Sequence, residues 1–156
     1  MGLDMYLSAK KYFWTSGRGQ QRNRDDEISD AILNLMPEIG DMTPSHIEIS
    51  AMYWRKANHI HDWFVNNVQN ANDDCGKYYV SREQLKELAD LCEQVLADPD
   101  SASEILPTTE GFFFGGTEYD QYYLDQCLKT AQDIRKLLEN PGLTEGRWEF
   151  YYHSSW

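Results

Sequence analysis

Two tryptophans, two histidines, an arginine and a lysine fall within one short stretch, Trp54-Arg-Lys-Ala-Asn-His-Ile-His-Asp-Trp63. These side chains stack on rings or form directional hydrogen bonds, unlike the Glu and Lys of a plain surface helix. Tyr53, Ala57, Ile60, Phe64 and Val68 recur at steps of four, three, four and four. That is the buried stripe of a 3.6-residue period, so the spacing predicts one amphipathic helix over residues 53–68. On it Arg55, His59 and Asp62 share one side, and Trp54, Asn58 and His61 another.

What chemistry could this be? His59 and His61 would share a metal on a strand, but on a helix they sit about 200° apart. No Cys-x-x-Cys or His-Glu-x-x-His occurs, so no metal site and no cofactor are expected. No Gly-x-Ser-x-Gly offers a nucleophile elbow. His59 beside Asp62 would make an oriented base for a nucleotide hydrolase, although such i,i+3 pairs are commonplace on helix surfaces. No catalytic residue is assigned. Gly115-Gly116-Thr117 before a helix could present amide N–H groups to an anion. Without Gly-Lys-Ser/Thr the run is not a P-loop, and tight strand-to-helix packing is the favoured explanation.

The broader constellation is a ligand pocket built from Trp54, Arg55, Lys56, His59, Tyr79, Arg82, Tyr119 and Tyr123, with Tyr78 and Tyr122 nearby. Aromatic rings can stack a base while Arg and Lys hold phosphate. The plain alternative is that the rings are core and the cations offset neighbouring acids.

These side chains need elements to position them. With 156 residues and 41% hydrophobic content, one domain spanning residues 1–156 is expected. Leu3, Met5 and Leu7 alternate with polar residues, as in a half-buried strand. Gly17 to Arg24 reads as a mobile basic loop. Ile28, Ile32, Leu35 and Met36 mark a helix opened by Asp25, Asp26 and Glu27 and closed by Pro37. His46 to Ser50 alternates as a short strand or as the lead-in to the central helix, and Lys77 to Val80 as a strand. Ser81 and Gln84 form a capping box for a helix burying Leu85, Leu88, Cys92, Val95 and Leu96. Residues 98–110 read as an acidic loop, and Gly111-Phe-Phe-Phe-Gly115 as a buried strand. Thr117 caps a last helix with a stripe of Leu124, Leu128, Ala131, Ile134 and Leu138, ended by Pro141-Gly142. Trp148, Phe150 and Tyr152 alternate in a C-terminal strand. The sum is an α+β fold, with about four helices packed on a small mixed sheet of four to five short strands that includes both termini.

Net charge is −12, and it is uneven. Residues 1–24 hold five basic residues and one acid, a net of +4, which leaves −16 on the rest. Such a body opposes direct nucleic-acid binding, which needs phosphate neutralisation. It suits solubility or a partner with a basic surface. No run of about 18 apolar residues exists, so no membrane span is expected. The start lacks the pattern of a signal peptide. Three widely spaced cysteines, Cys75, Cys92 and Cys127, point to free thiols in a reducing compartment.

Several stretches together resemble a family of small bacteriophage and prophage proteins. They are Met1-Gly-Leu-Asp-Met-Tyr-Leu7, Tyr53-Trp-Arg-Lys-Ala-Asn58 with His61-Asp-Trp-Phe64, Asp73-Asp-Cys-Gly76 with Tyr79-Val-Ser81, Gly111-Phe-Phe-Phe-Gly115 with Tyr119-Asp120, and Tyr151-Tyr152 to Trp156. They cover about half the chain, and residues 15–50 lie outside the likeness. The resemblance implies expression in the cytoplasm of a bacterial host and a role in host takeover or counter-defence. It carries over no catalytic residues. Three functions follow as expectations: a non-enzymatic binder that sequesters a small anionic, nucleotide-like ligand; an acidic inhibitor that blocks the basic nucleic-acid-binding surface of a host defence protein; and a nucleotide hydrolase. The aromatic C-terminus also leaves a homo-oligomer open.

Overall fold

A computed structural model describes residues 2–144 and 146–156. Four strands form one sheet: β1 (Asp4–Tyr12), β2 (His46–Arg55), β3 (Tyr78–Val80) and β4 (Glu149–Ser155). Their order is β2-β1-β4-β3, and every pairing is antiparallel. The sheet is therefore antiparallel rather than mixed, and the strands nearest both ends of the chain lie at its centre. Among the described residues there are six α-helices instead of about four: α1 (Arg24–Leu35), α2 (Asn58–Asn67), α3 (Arg82–Ala97), α4 (Ala102–Ile105), α5 (Gln121–Glu139) and α6 (Pro141–Thr144). Two single 3-10 turns, Pro37–Ile39 and Pro99–Ser101, complete the order. The expected acidic loop at 98–110 thus begins with a 3-10 turn and α4.

Period-two alternation gives the sheet two faces. Leu3, Met5, Leu7 and Ala9 on the β1 side, Met52 and Trp54 of β2, Val80 of β3 and Phe150 and Tyr152 of β4 point inward. They meet Ile60 and Phe64 of α2, Leu85, Leu88 and Cys92 of α3, and Cys127 and Ile134 of α5 in one core. The outer face carries no such layer. There Tyr53, Tyr6 and His153 lie in register across β2, β1 and β4, and the next row is Ser50, Ser8, Tyr151 and Tyr79. Ala51 is an extra residue of β2, because the pairing steps from Met52 opposite Leu7 to Ser50 opposite Ser8. This bulge keeps the inner side apolar along the rest of the strand.

Local chemistry sets the element ends. Ser81 accepts from the Gln84 N–H at 3.0 Å, and the Gln84 side chain accepts from the Ser81 N–H at 2.9 Å, so α3 starts where its capping box lies. Asn23 does the same for α1 with Asp26. α1 differs from its expected packing. Leu35 and Met36 are exposed, and the buried positions are Asp25, Asp26 and Ser29. The helix is held by polar groups: Asp25 accepts from the Trp14 N–H at 3.0 Å and from Arg147 at 2.7 Å.

The central stretch is the largest correction. Tyr53, Trp54 and Arg55 finish β2, and a helix begins only at Asn58. Lys56 between them has φ 54°, a left-handed turn that no continuous helix contains. The Phe-rich run is not a strand either. It is a turn bonded from the Phe114 N–H to the Gly111 carbonyl at 3.1 Å, and Phe112 is 95% exposed. α5 is capped by Asp120, whose carboxylate accepts from the Tyr123 N–H at 3.1 Å, and not by Thr117. Its buried residues are Tyr123, Cys127, Thr130, Ala131, Ile134 and Leu137; Ala131 and Ile134 are in the expected stripe, Leu124 and Leu138 are only partly buried, and Leu128 is exposed. The helix ends at Glu139, just before Pro141 as expected, and Pro141 also opens the short α6.

Candidate functional site

The turn at Lys56 brings α2 against the segment 107–117. The Lys56 N–H bonds to the Leu3 carbonyl at 2.8 Å, and the Leu3 N–H bonds to the Phe113 carbonyl at 3.0 Å. Asn58, at the start of α2 and 2% exposed, donates to the carbonyls of Phe114 (3.2 Å) and Gly116 (2.8 Å) and accepts from the Thr109 N–H (3.2 Å). One side chain thereby satisfies three backbone groups of a segment without regular structure. Gly115 has φ 92°, and a Cβ there would stand 3.1 Å from the Lys56 Cβ. Glycine at this position allows both the left-handed backbone and the close approach.

α2 and this segment enclose a cleft of about 420 Å³. It is lined by His61, Asp62 and Val65 of α2, by Glu110 and Phe112 to Phe114 of the segment, and by Asp73 and Trp156. His61 is buried, with Nε2 3.1 Å from Asp73 Oδ2 and Nδ1 2.7 Å from the Tyr152 hydroxyl. A carboxylate accepts, so Nε2–H donates to Asp73, while Nδ1 bonds to the Tyr152 hydroxyl. Burial holds the Tyr152 hydroxyl well above its usual pKa, which keeps it a donor. The other Asp73 oxygen accepts from the Trp156 indole at 3.2 Å. Phe114 stands edge-on to both the His61 and Trp156 rings, at 5.1 and 6.0 Å. Asp62 bonds only to Asn66, at 3.0 Å, and makes no ion pair among the described residues. Partial burial raises its pKa above the ordinary carboxylate value.

A second, smaller hollow of about 120 Å³ lies on the other side of Asn58. It is lined by Lys56, His59 and Tyr123 together with Glu118 and Asp120. His59 Nε2 lies 3.6 Å from the Cys127 sulfur, and its ring is 4.1 Å from that of Tyr123. The two histidines of α2 therefore point to different partners. Among the described residues no group of three or more His, Cys, Asp or Glu could hold a metal ion.

The eight expected site residues divide. Lys56, His59 and Tyr123 meet at the small hollow, and Tyr119 packs on Tyr123 with ring centres 5.0 Å apart. Trp54 is core, its indole donating to Thr130 at 2.8 Å. Arg55 ends β2 on the exposed side, and its carbonyl accepts from Tyr122. Tyr79 lies on the outer sheet face against Tyr151. Arg82 donates to the carbonyls of Leu143 and Trp148 and lies over the Phe150 ring, a structural clamp on the entry to β4. The larger cleft uses residues outside that set: Asp62, His61, Asp73, Phe113, Phe114 and Trp156. The glycines flanking the Phe run were a signal for an exposed turn as well as for a strand end.

Acidic groups crowd around both hollows. From Asp98 to Asp125 the chain holds seven carboxylates and no Lys, Arg or His. None of the seven makes an ion pair among the described residues. No helix is long and apolar enough to cross a membrane among the described residues. No protein-family model matches the chain, and no curated protein or solved structure is significantly similar to it.

Proposed function

We propose that this chain is a non-enzymatic binding protein whose larger cleft captures a small organic cation, an ammonium head on an apolar body. The reading is carried by Asp62, a carboxylate drawn partly out of water in a wall that holds no Lys or Arg. A ligand ammonium would supply the missing counter-charge. The aromatic lining of Phe113, Phe114 and Trp156 can add cation–π attraction, worth about 0.5–2 kcal/mol per contact. A volume of about 420 Å³ falls within the range of small-molecule sites. A nucleotide-like anion, expected from the sequence, suits this cleft less well, since Asp62, Asp73 and Glu110 would repel phosphate. A hydrolase would need a nucleophile or a positioned base. Here the expected pair is not formed: His59 Nε2 lies 3.6 Å from the Cys127 sulfur, while Asp62 bonds to Asn66 and lines the other hollow. A counter-defence role in a bacterial host, implied by the phage resemblance, would then consist of withdrawing such a cation.

Calorimetry tests the reading with a panel of phenethylammonium, spermidine and tetramethylammonium against neutral compounds of matching shape. At least one ammonium compound should bind, its neutral analogue should not, and Asp62→Asn should weaken it at least tenfold. Equal binding of neutral analogues, or no binding across the panel, would sink it.

A second reading rests on the seven carboxylates from Asp98 to Asp125, which make no ion pair among the described residues and suit an acidic inhibitor docking on a basic host protein. It predicts binding that weakens steeply with salt and with Asp98→Asn, Asp100→Asn and Glu104→Gln combined, while Asp62→Asn has no effect.

A further inference from the structure

Four side chains close a circuit around the larger cleft. His61 Nε2–H donates to Asp73 Oδ2 at 3.1 Å, and the Trp156 indole donates to Asp73 Oδ1 at 3.2 Å. The Trp156 ring stands edge-on to Phe114 at 6.0 Å, and Phe114 stands edge-on to His61 at 5.1 Å. The anchoring within the circuit is unequal. His61 is 1% exposed and is held from behind by Tyr152, which itself stacks on Phe64 with ring centres 3.9 Å apart. Trp156 is 48% exposed, and Asp73 accepts the one hydrogen bond that its indole can donate. Asp73 therefore passes the fixed position of His61 on to a half-exposed ring, the kind of support that keeps a binding wall preorganised.

The same bonds decide which carboxylates a ligand meets. Both Asp73 oxygens are engaged by protein donors, whereas Asp62 bonds only to Asn66. Glu110 is exposed, and an ion pair in water contributes little. The cleft therefore combines one partly desolvated carboxylate with the rings of Phe113, Phe114 and Trp156, rather than presenting a file of carboxylates. A linear polyamine needs several charge partners in a row. A flat ring needs aromatic neighbours in edge-on or offset contact, and this lining supplies them.

We infer that the ligand of this cleft is an arylalkyl ammonium compound, its cation on Asp62 and its ring against Trp156 and Phe114, and that Asp73 is the positioning residue that holds Trp156 to receive the ring. The inference rests on the cation-binding reading above and adds the ring and its support.

Calorimetry at physiological salt with phenethylammonium, ethylammonium and spermidine tests the ligand class. Wild type should bind phenethylammonium about tenfold more tightly than either of the others. Asp73→Asn and Asp73→Ala both remove the charge, but Asn keeps an oxygen for the indole, so the difference between them isolates the positioning of Trp156. Asp73→Ala should bind phenethylammonium about tenfold more weakly than Asp73→Asn does, while ethylammonium differs between the two by less than about twofold. Trp156→Ala, a change at a half-exposed side chain, should reproduce the loss and decides the matter if Asp73→Ala does not fold. NMR of the indole N–H groups needs no ligand. The Trp156 signal, assigned by its absence from Trp156→Phe, should exchange slowly with water in wild type and Asp73→Asn, and fast in Asp73→Ala. Spermidine or ethylammonium binding as tightly as phenethylammonium overturns the inference and leaves the proposed function standing, whereas binding of none of the three overturns both. An indole signal indifferent to Asp73→Ala, or phenethylammonium binding indifferent to Trp156→Ala, also overturns the inference.

Discussion

Asn58 donates to the carbonyl of Gly116 at 2.8 Å, joining the first turn of α2 to a segment 58 residues away. The same side chain also holds the Phe114 carbonyl and the Thr109 N–H. Both hollows border this junction, so their shape depends on it. Asn58→Ala leaves buried backbone groups without partners, at a cost of about 1–3 kcal/mol. Urea unfolding should show that loss, and limited proteolysis should cut residues 109–116 faster than in wild type. An Asn58→Ala protein as stable and resistant as wild type would mean that the segment is held by something else.

Trp54 and Thr130 form an isolated buried pair. Trp54→Phe removes the donor and part of the ring, and Thr130→Val leaves the indole N–H without an acceptor, each destabilising by about 1–3 kcal/mol. A double-mutant cycle should return a coupling near 1 kcal/mol. Ammonium binding in the larger cleft should survive both changes, since neither residue lines it.

Asp25 predicts a pH dependence. Burial pushes its carboxyl up, but the Trp14 N–H, Arg147 and Lys11 outweigh this and hold its pKa below the ordinary value. A carboxylate with a lowered folded-state pKa stabilises the fold above its unfolded value, near pH 4, and that stability is lost as the pH falls through the folded value. Asp25→Asn should therefore cost about 1–2 kcal/mol at pH 7. The gap from wild type should close as the pH falls through the lowered folded-state value. A gap that is constant with pH would show that the charge contributes nothing.

The thiols should divide by burial. Cys75 is exposed, while Cys92 and Cys127 are wholly buried. A thiol reagent added to the native protein should modify Cys75 at once. The other two should react only at the rate of opening of the α3–α5 core. Rapid modification of either buried thiol would place that helix pair among the loosely held parts of the chain.

Sequence alone determined those features whose causes are local. The Ser81–Gln84 capping box starts α3 within four residues, and period-two alternation marks β1 and β4 with no partner in view. The α+β class follows from that mixture of periods. The tertiary structure decided the stretches where two local patterns coexist. Tyr53, Ala57, Ile60 and Phe64 satisfy a helical period, yet Met52 and Trp54 also alternate with Tyr53 and Arg55. Pairing with Met5 and Leu7 of β1, some 50 residues away, selects the strand. α5 carries apolar side chains on more than one face, and packing against α3 buries Cys127 and Ile134 while leaving Leu128 in water. The cleft was beyond local reading for the same reason. Asp62, Asp73, Phe114 and Trp156 come from four separate segments, and only the folded sheet with its cross-linking Asn58, His61 and Tyr152 brings them to one place.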